Sequence, residues 1–242
     1  MEPASFRAHA AVPFMNPLPE AAVDAAIAAL DLPAGARVVE TGCGAAELLL
    51  RVLEAHPGAT GVGVDPDPHA LGRAREAAAR RVPGREPDLV QATAQDARLE
   101  AGGWDLVINV AASHAHGGYP AALRELAALA RPGGQVLLGE GYWTRVPSPA
   151  FLHALGGASA DELPLGAGAL AVAAGAAGLE AEAVALAGDH DWAAYEDGLA
   201  AEAERYDDED AVAYARHIRE RRALPDGGST FGFALLTLRR GS

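Results

Sequence analysis

The sequence predicts an α/β fold with a doubly wound, mostly parallel sheet. Three observations carry this. Short β-branched runs alternate with helical stretches through the first 140 residues. A glycine loop, Gly42-Cys43-Gly44, follows the first of those runs. At 242 residues the chain is long enough to bury one substantial core, so a single domain is expected.

Each element follows from its pattern. Residues 19–30 set Val23, Ile27 and Leu30 at helical spacing among alanines, and Pro33-Ala34-Gly35 turns the chain into a strand over 36–40. After the glycine loop, residues 47–56 read as a helix whose apolar run Leu48-Leu49-Leu50 packs on a sheet. A strand over 61–64 ends at Asp65, and a charged helix spans 69–81. Strands at 89–92 and 105–110 follow, then a helix at 120–130. The turn Arg131-Pro132-Gly133-Gly134 leads into a fifth strand at 135–139. Alternation at this spacing implies a parallel sheet covered on both faces. Beyond it, a helix at 166–177 precedes a strand at 179–186. Residues 191–224 are polar, acidic and helical, and a last strand spans 230–238. The chain thus divides into an N-terminal lid and helix (1–30), a ligand-binding core (31–140), substrate-side helices and cap (141–229) and the last strand (230–240).

Composition excludes several chemistries. All 19 basic residues are arginine, so lysine Schiff bases, phosphate loops of the G-K-[ST] kind and Tyr-x-x-x-Lys pairs are ruled out. A formal charge of −14 repels polyanions and disfavours nucleic acid. The single Cys43 forms no internal disulfide and fits a reducing compartment. No run has the length and apolarity of a membrane span or the pattern of a signal peptide, so a cytoplasmic protein is expected.

The glycine loop places backbone N–H groups and a helix N-terminus beside a cavity at the strand ends, which suits a polar or anionic ligand. Two glycines after a strand fit several nucleotide ligands. A dinucleotide fingerprint asks for a third small residue where this chain has Glu47, a poor neighbour for a pyrophosphate. Asp65, 21 residues past Gly44, can accept from both hydroxyls of a ribose. Glu40, before the glycines, would face an ammonium group, and Asp96, after the third strand, could accept from an adenine amine. Three spaced acids suit a cationic adenosyl ligand.

With those residues in place, the sequence over about residues 30–139 resembles the class I, Rossmann-like S-adenosylmethionine-dependent methyltransferases. VVETGCGAAE resembles their first motif, GVGVDPDP their ribose-binding turn, AQDA their adenine-binding turn and WDLVINV their fourth strand. The resemblance implies a seven-stranded sheet with the last strand reversed beside the fifth, and a helical cap inserted before it. It implies S-adenosylmethionine as cofactor, held by Glu40, Gly42, Cys43, Gly44, Asp65, Pro66, Asp96, Ala97 and Asn109. In this chain Ala46 stands where a third glycine is frequent, and the helices of 191–224 replace a simpler hairpin.

Methyl transfer from a sulfonium needs chiefly an in-line acceptor. His114, just past the fourth strand, is the first candidate for a base that takes the acceptor's proton. Glu140 could orient it. His116, Tyr142 and Trp143 are candidates for substrate contact, although a buried plug explains the two aromatics equally well. A metal held by His114, His116 and Glu140 is disfavoured, because the spacing is unspecific. The expected function is methylation of a small-molecule acceptor at O or N, by a chain compatible with a homodimer. A Rossmann oxidoreductase using NAD(P) and a non-catalytic S-adenosylmethionine-binding protein are the alternatives.

Overall fold

The computed structural model describes residues 4–9, 12–228 and 230–241; residues 1–3, 10–11, 229 and 242, parts of the expected lid, cap and C-terminal tail, lie outside them. The chain divides into two compact units. One comprises residues 21–140, 171–185 and 235–242, and the other residues 1–20, 141–170 and 186–234.

One sheet of seven strands runs through the molecule. Its members are β1 (Arg37–Thr41), β2 (Thr60–Asp65), β3 (Asp88–Gln91), β4 (Trp104–Val110), β5 (Ala130–Trp143), β6 (Leu179–Ala187) and β7 (Phe231–Arg240). They lie in the order β3-β2-β1-β4-β5-β7-β6. The pairs β1–β2, β1–β4, β2–β3 and β4–β5 are parallel, and β7 is antiparallel. The expected seven-stranded sheet with a reversed last strand is therefore observed.

In the larger unit the sheet is packed by α2 (Glu20–Ala28), α3 (Glu47–Ala55), α4 (Pro68–Arg81) and α5 (Tyr119–Leu129). The sequence dictates these helices locally. α3 buries Leu48, Leu49, Leu50, Val52 and Leu53, a stripe matching the helical repeat. α4 starts at Pro68 because the Asp67 carboxylate accepts from the His69 N–H, and proline needs no bond at a first helical turn. Val38, Val39, Leu106, Val107, Ile108, Val136, Leu137 and Leu138 are fully buried along β1, β4 and β5, as a sheet covered on both faces requires.

One expectation needs correction. The Arg131-Pro132-Gly133-Gly134 segment is not a turn before the fifth strand but a bulge inside it. Trp104 pairs with Ala130 and Leu106 with Gln135, so two steps of β4 face five of β5. Gly133, at φ +72°, supplies the reversal that lets the strand resume. In the N-terminal segment Ala4–Ala8 forms a short helix, α1.

The second unit contains α1, α6 (Pro149–Ala154), α8 (Asp189–Ala203) and α9 (Glu209–Arg222); α7 (Ala167–Ala176) runs from this unit into the larger one. Ala8, Leu199, Ala200, Ala203, Ala215 and Ile218 form an alanine-rich core between α1, α8 and α9. Around it Arg7 bonds both Asp208 oxygens, at 2.7 and 3.1 Å, and His9 Nε2 lies 2.7 Å from the Tyr195 hydroxyl. Asp191 sits within the first turn of α8, and its carboxylate caps the helix start by accepting from the Gly188 N–H at 2.8 Å.

Where β5 and β7 enter this unit, each lends a glycine to an aromatic ring. A Cβ at Gly141 would stand 2.7 Å from the Phe231 ring, and one at Gly232 would run into the Tyr142 ring. Rings cannot yield as a flexible side chain does. Gly232→Ala should therefore destabilise the protein by about 1–3 kcal/mol in urea unfolding. Gly168→Ala, in α7 where a Cβ meets nothing within 4 Å, should be neutral or stabilising by up to about 1 kcal/mol.

Candidate functional site

The strand order reverses at β1, whose neighbours β2 and β4 carry the chain to opposite sides, so a crevice opens at the carboxyl ends of these strands. The glycine loop occupies this point. The Gly42 and Cys43 N–H groups both donate to the Val64 carbonyl, at 2.8 and 3.0 Å. Gly42 has φ +68°, and a Cβ there would lie 2.5 Å from the Ala112 methyl, so only glycine lets the loop pass the segment after β4. The Gly44 N–H donates to Asp65 Oδ2 at 2.8 Å, while the Asp67 N–H donates to Asp65 Oδ1 at 2.9 Å. A Cβ at Gly44 would meet nothing within 4 Å. Ala46 adopts φ +59°, a left-handed conformation costing a non-glycine residue roughly 1 kcal/mol.

Glu40 is 3% exposed, and its Oε2 accepts from the Leu49 N–H at 3.1 Å, in the first turn of α3. Burial pushes its carboxyl up to about 8, against the pull of the Leu49 bond and with added repulsion from Asp65 and Glu47. Glu40 is thus held as a neutral acid at pH 7 in the protein alone, and a cation placed beside it would draw the proton off. Cys43 is buried, and burial also raises its thiol, so it fills space and is no nucleophile. Glu47 bonds Arg51 at 2.7 Å and Arg81 at 2.5 Å. Its charge is compensated by two guanidiniums, which weakens the electrostatic case it made against a pyrophosphate.

Pro66 is exposed in the Asp65–Asp67 turn. Asp96 is exposed and accepts from the Thr93 hydroxyl at 2.8 Å, and the Ala97 N–H closes the same turn on the Thr93 carbonyl. Asn109 is fully buried. Its amide donates to the Thr41 carbonyl and hydroxyl, at 3.1 and 3.0 Å, and its Oδ1 is buried without a partner.

Ser113–His116 forms a 3₁₀ turn after β4. His114 is exposed on it. His116 is buried, with Nε2 3.1 Å from the Thr41 hydroxyl and Nδ1 2.5 Å from Glu125 Oε2, so both ring nitrogens are engaged within the core. Sequence reasoning missed Thr41, Gln95 and Glu125. Gln95 Nε2 donates to the Ala115 carbonyl at 2.6 Å and ties the Asp96 turn to the histidine turn. Glu140 is buried near Tyr119, whose phenol is pushed up by burial and then by the Glu140 charge. In the other unit, Tyr142 lies over Gly232. There Trp143 donates its indole N–H to the Ala160 carbonyl at 2.8 Å and packs edge-on to Phe151, the arrangement of a plug. Among the described residues no group of three His, Cys, Asp or Glu side chains stands together as a metal site, and no helix is long and apolar enough to cross a membrane.

Residues 38–134 match the family model described as a methyltransferase domain. No curated protein matches the chain in sequence. Among solved structures, the chain is similar to YjhP from E. coli, with a TM-score of 0.84 and 23% identity over 97% of this chain and 98% of that one. It is also similar to an S-adenosylmethionine-dependent methyltransferase from Geobacter sulfurreducens in complex with S-adenosylhomocysteine (TM-score 0.84, 24% identity, 98% of both chains). A third, from Thiobacillus denitrificans and in complex with the same product, matches with a TM-score of 0.81 and 24% identity over 96% and 95% of the two chains.

The buried Glu40 has a measurable signature without any ligand. Its carboxyl lies near 8 in the folded chain against 4.5 when solvated, so its burial costs nothing while both forms are protonated. The cost grows as pH rises from about 4.5 to 8 and is constant above. Glu40→Gln should therefore gain stability over the wild type by on the order of 1 kcal/mol per pH unit across that window. Urea unfolding at pH 5, 6.5 and 8 measures it; a difference independent of pH would show that Glu40 is ionised in the folded protein.

Proposed function

We infer that this chain, which carries a Rossmann-like methyltransferase domain over residues 38–134, is an S-adenosylmethionine-dependent methyltransferase. One observation carries the reading: Glu40, Asp65 and Asp96 stand at or just beyond the carboxyl ends of three adjacent parallel strands, β1, β2 and β3. Each offers what one part of the donor needs. Glu40 is a buried acid that a cation would ionise, and fits an ammonium group. Asp65 spends one lone pair of each oxygen on Gly44 and Asp67, which fixes its plane and leaves the others for a ribose diol. Asn109 Oδ1, an orphaned buried acceptor between the loop and the histidine turn, supports a ligand that brings donors. Pro66 and Ala97 would wall the ribose and adenine turns, and Gly42, Cys43 and Gly44 would lie along the ligand.

S-adenosylmethionine bound there would supply an electrophilic sulfonium methyl group to an acceptor lone pair. His114, exposed on the turn after β4, accepts the proton that a hydroxyl or amine acceptor must lose, and releases it to solvent. Glu140 and His116 shape the surroundings from buried positions. The acceptor is a small molecule reacting at O or N. Supporting this, the chain carries a formal charge of −14, which disfavours a polyanionic acceptor.

Saturating S-adenosylhomocysteine, at roughly a hundred times its Kd, should raise the melting temperature by about 5–10 °C, and NAD should not. Asp65→Ala should abolish the shift. Stabilisation by NAD alone would overturn the reading. Once an acceptor is found by screening, His114→Ala should lower kcat about 100-fold with S-adenosylhomocysteine affinity unchanged; turnover at the wild-type rate would remove His114 from the mechanism.

A further inference from the structure

Beneath the turn that bears His114 runs a chain of side chains that methyl transfer itself does not use. Asn109 Nδ2 lies 3.0 Å from the Thr41 hydroxyl, that hydroxyl 3.1 Å from His116 Nε2, and His116 Nδ1 2.5 Å from Glu125 Oε2. Thr41 and Asn109 are fully buried, His116 is 5% exposed, and Glu125 reaches solvent. With His116 as a neutral imidazole the chain has one direction. An ionised Glu125 can only accept, so in the neutral imidazole Nδ1 carries the proton and Nε2 is the acceptor. Thr41 must then donate to Nε2, and its oxygen accepts from the Asn109 amide.

Apolar side chains of similar size would fill this space without the cost of desolvating polar groups. What the polar chain adds is connection. Thr41 directly precedes Gly42, and His116 closes the turn that carries His114. Asn109 also reaches the Ala112 carbonyl at 3.4 Å, and Gln95 grips the Ala115 carbonyl from the Asp96 turn.

The geometry points to His116 as a positioning residue, which, braced by Glu125, locks Thr41 and the glycine loop to the turn bearing His114. The spacing between donor loop and proton acceptor is thereby fixed. This role rests on the methyl-donor reading of the loop.

The test is calorimetric titration of S-adenosylhomocysteine into the wild type, Thr41→Val, Thr41→Ser, His116→Phe and the Thr41→Val/His116→Phe double variant, with urea unfolding alongside. Thr41→Val keeps the shape and removes only the hydroxyl. It and His116→Phe should each weaken binding about tenfold, and the double variant should be no weaker than His116→Phe alone, because both changes break one chain. Thr41→Ser should bind within about twofold of the wild type. Amide hydrogen exchange at Gly42 and Gly44, read without ligand, should quicken in Thr41→Val and not in Thr41→Ser. Unchanged affinity and loop exchange in Thr41→Val and His116→Phe, with stability alone reduced, would make the chain a plain core brace and overturn the proposal. Failure of the wild type to bind S-adenosylhomocysteine would instead overturn the methyl-donor reading, and this role with it.

Discussion

The site depends on how the last residue of β1 is held. Thr41 is completely buried, and its carbonyl and hydroxyl both accept from Asn109 on β4, while the next two N–H groups reach across to Val64 on β2. Residues 41–43 together therefore tie the ends of three adjacent parallel strands. A doubly wound sheet creates a crevice at its switch point, but the sheet hydrogen bonds stop where the strands end. Side-chain and loop bonds must continue the ladder outward. Asn109 does this on one flank of β1 and Asp65, through Gly44, on the other.

Charge is distributed with the same logic. The chain is strongly acidic, yet several carboxylates outside the crevice meet guanidiniums: Glu47 with Arg51 and Arg81, Glu54 with Arg81, Asp105 with Arg131, Glu182 with Arg239. Glu40 is treated differently. It receives a single backbone N–H from Leu49 and stands near two other acids, so burial wins and its proton is retained to about pH 8. A buried acid raised by its own neighbours is a group poised for a cation, and its placement one residue before Thr41 puts it on the opposite face of β1 from the Asn109 contact.

The fold was legible because it rests on repeating patterns. The β-α alternation from residue 36 onward, the glycine loop and the acid 21 residues beyond Gly44 are set by period and spacing. What escaped was set by tertiary contact. Arg131-Pro132-Gly133-Gly134 has the composition of a turn, and only its pairing across β4 makes it a bulge within β5. Glu47 looked like a charge facing the ligand, but Arg81 that neutralises it lies 34 residues away. The two histidines of Ser113–His116 are a sharper case. In a strand, residues two apart would share a face and both would point toward the crevice. In a 3₁₀ turn, with three residues per turn, they point about 120° apart, so His114 faces solvent while His116 enters the core beside Thr41.

Backbone strain follows the same boundary. Of the non-glycine residues with positive φ among those described, Ala46 and Ala111 lie just beyond β1 and β4, at φ +59° and +57°. Neither has a short polar side chain to ease the left-handed conformation. Each is held by backbone bonds that leave no alternative: the Ala46 N–H closes on the Cys43 carbonyl at 2.7 Å while its carbonyl receives Leu50, and the Ala111 N–H prolongs the β5 ladder to Gly139 at 3.0 Å. The strained residues are thus fixed from both sides by the same loops that Thr41, Asn109 and Asp65 draw together. A crevice built this way resists relaxation when empty, and it keeps the Asp65 and Glu40 carboxyls arranged before any ligand arrives, so binding need not meet the entropy of ordering them.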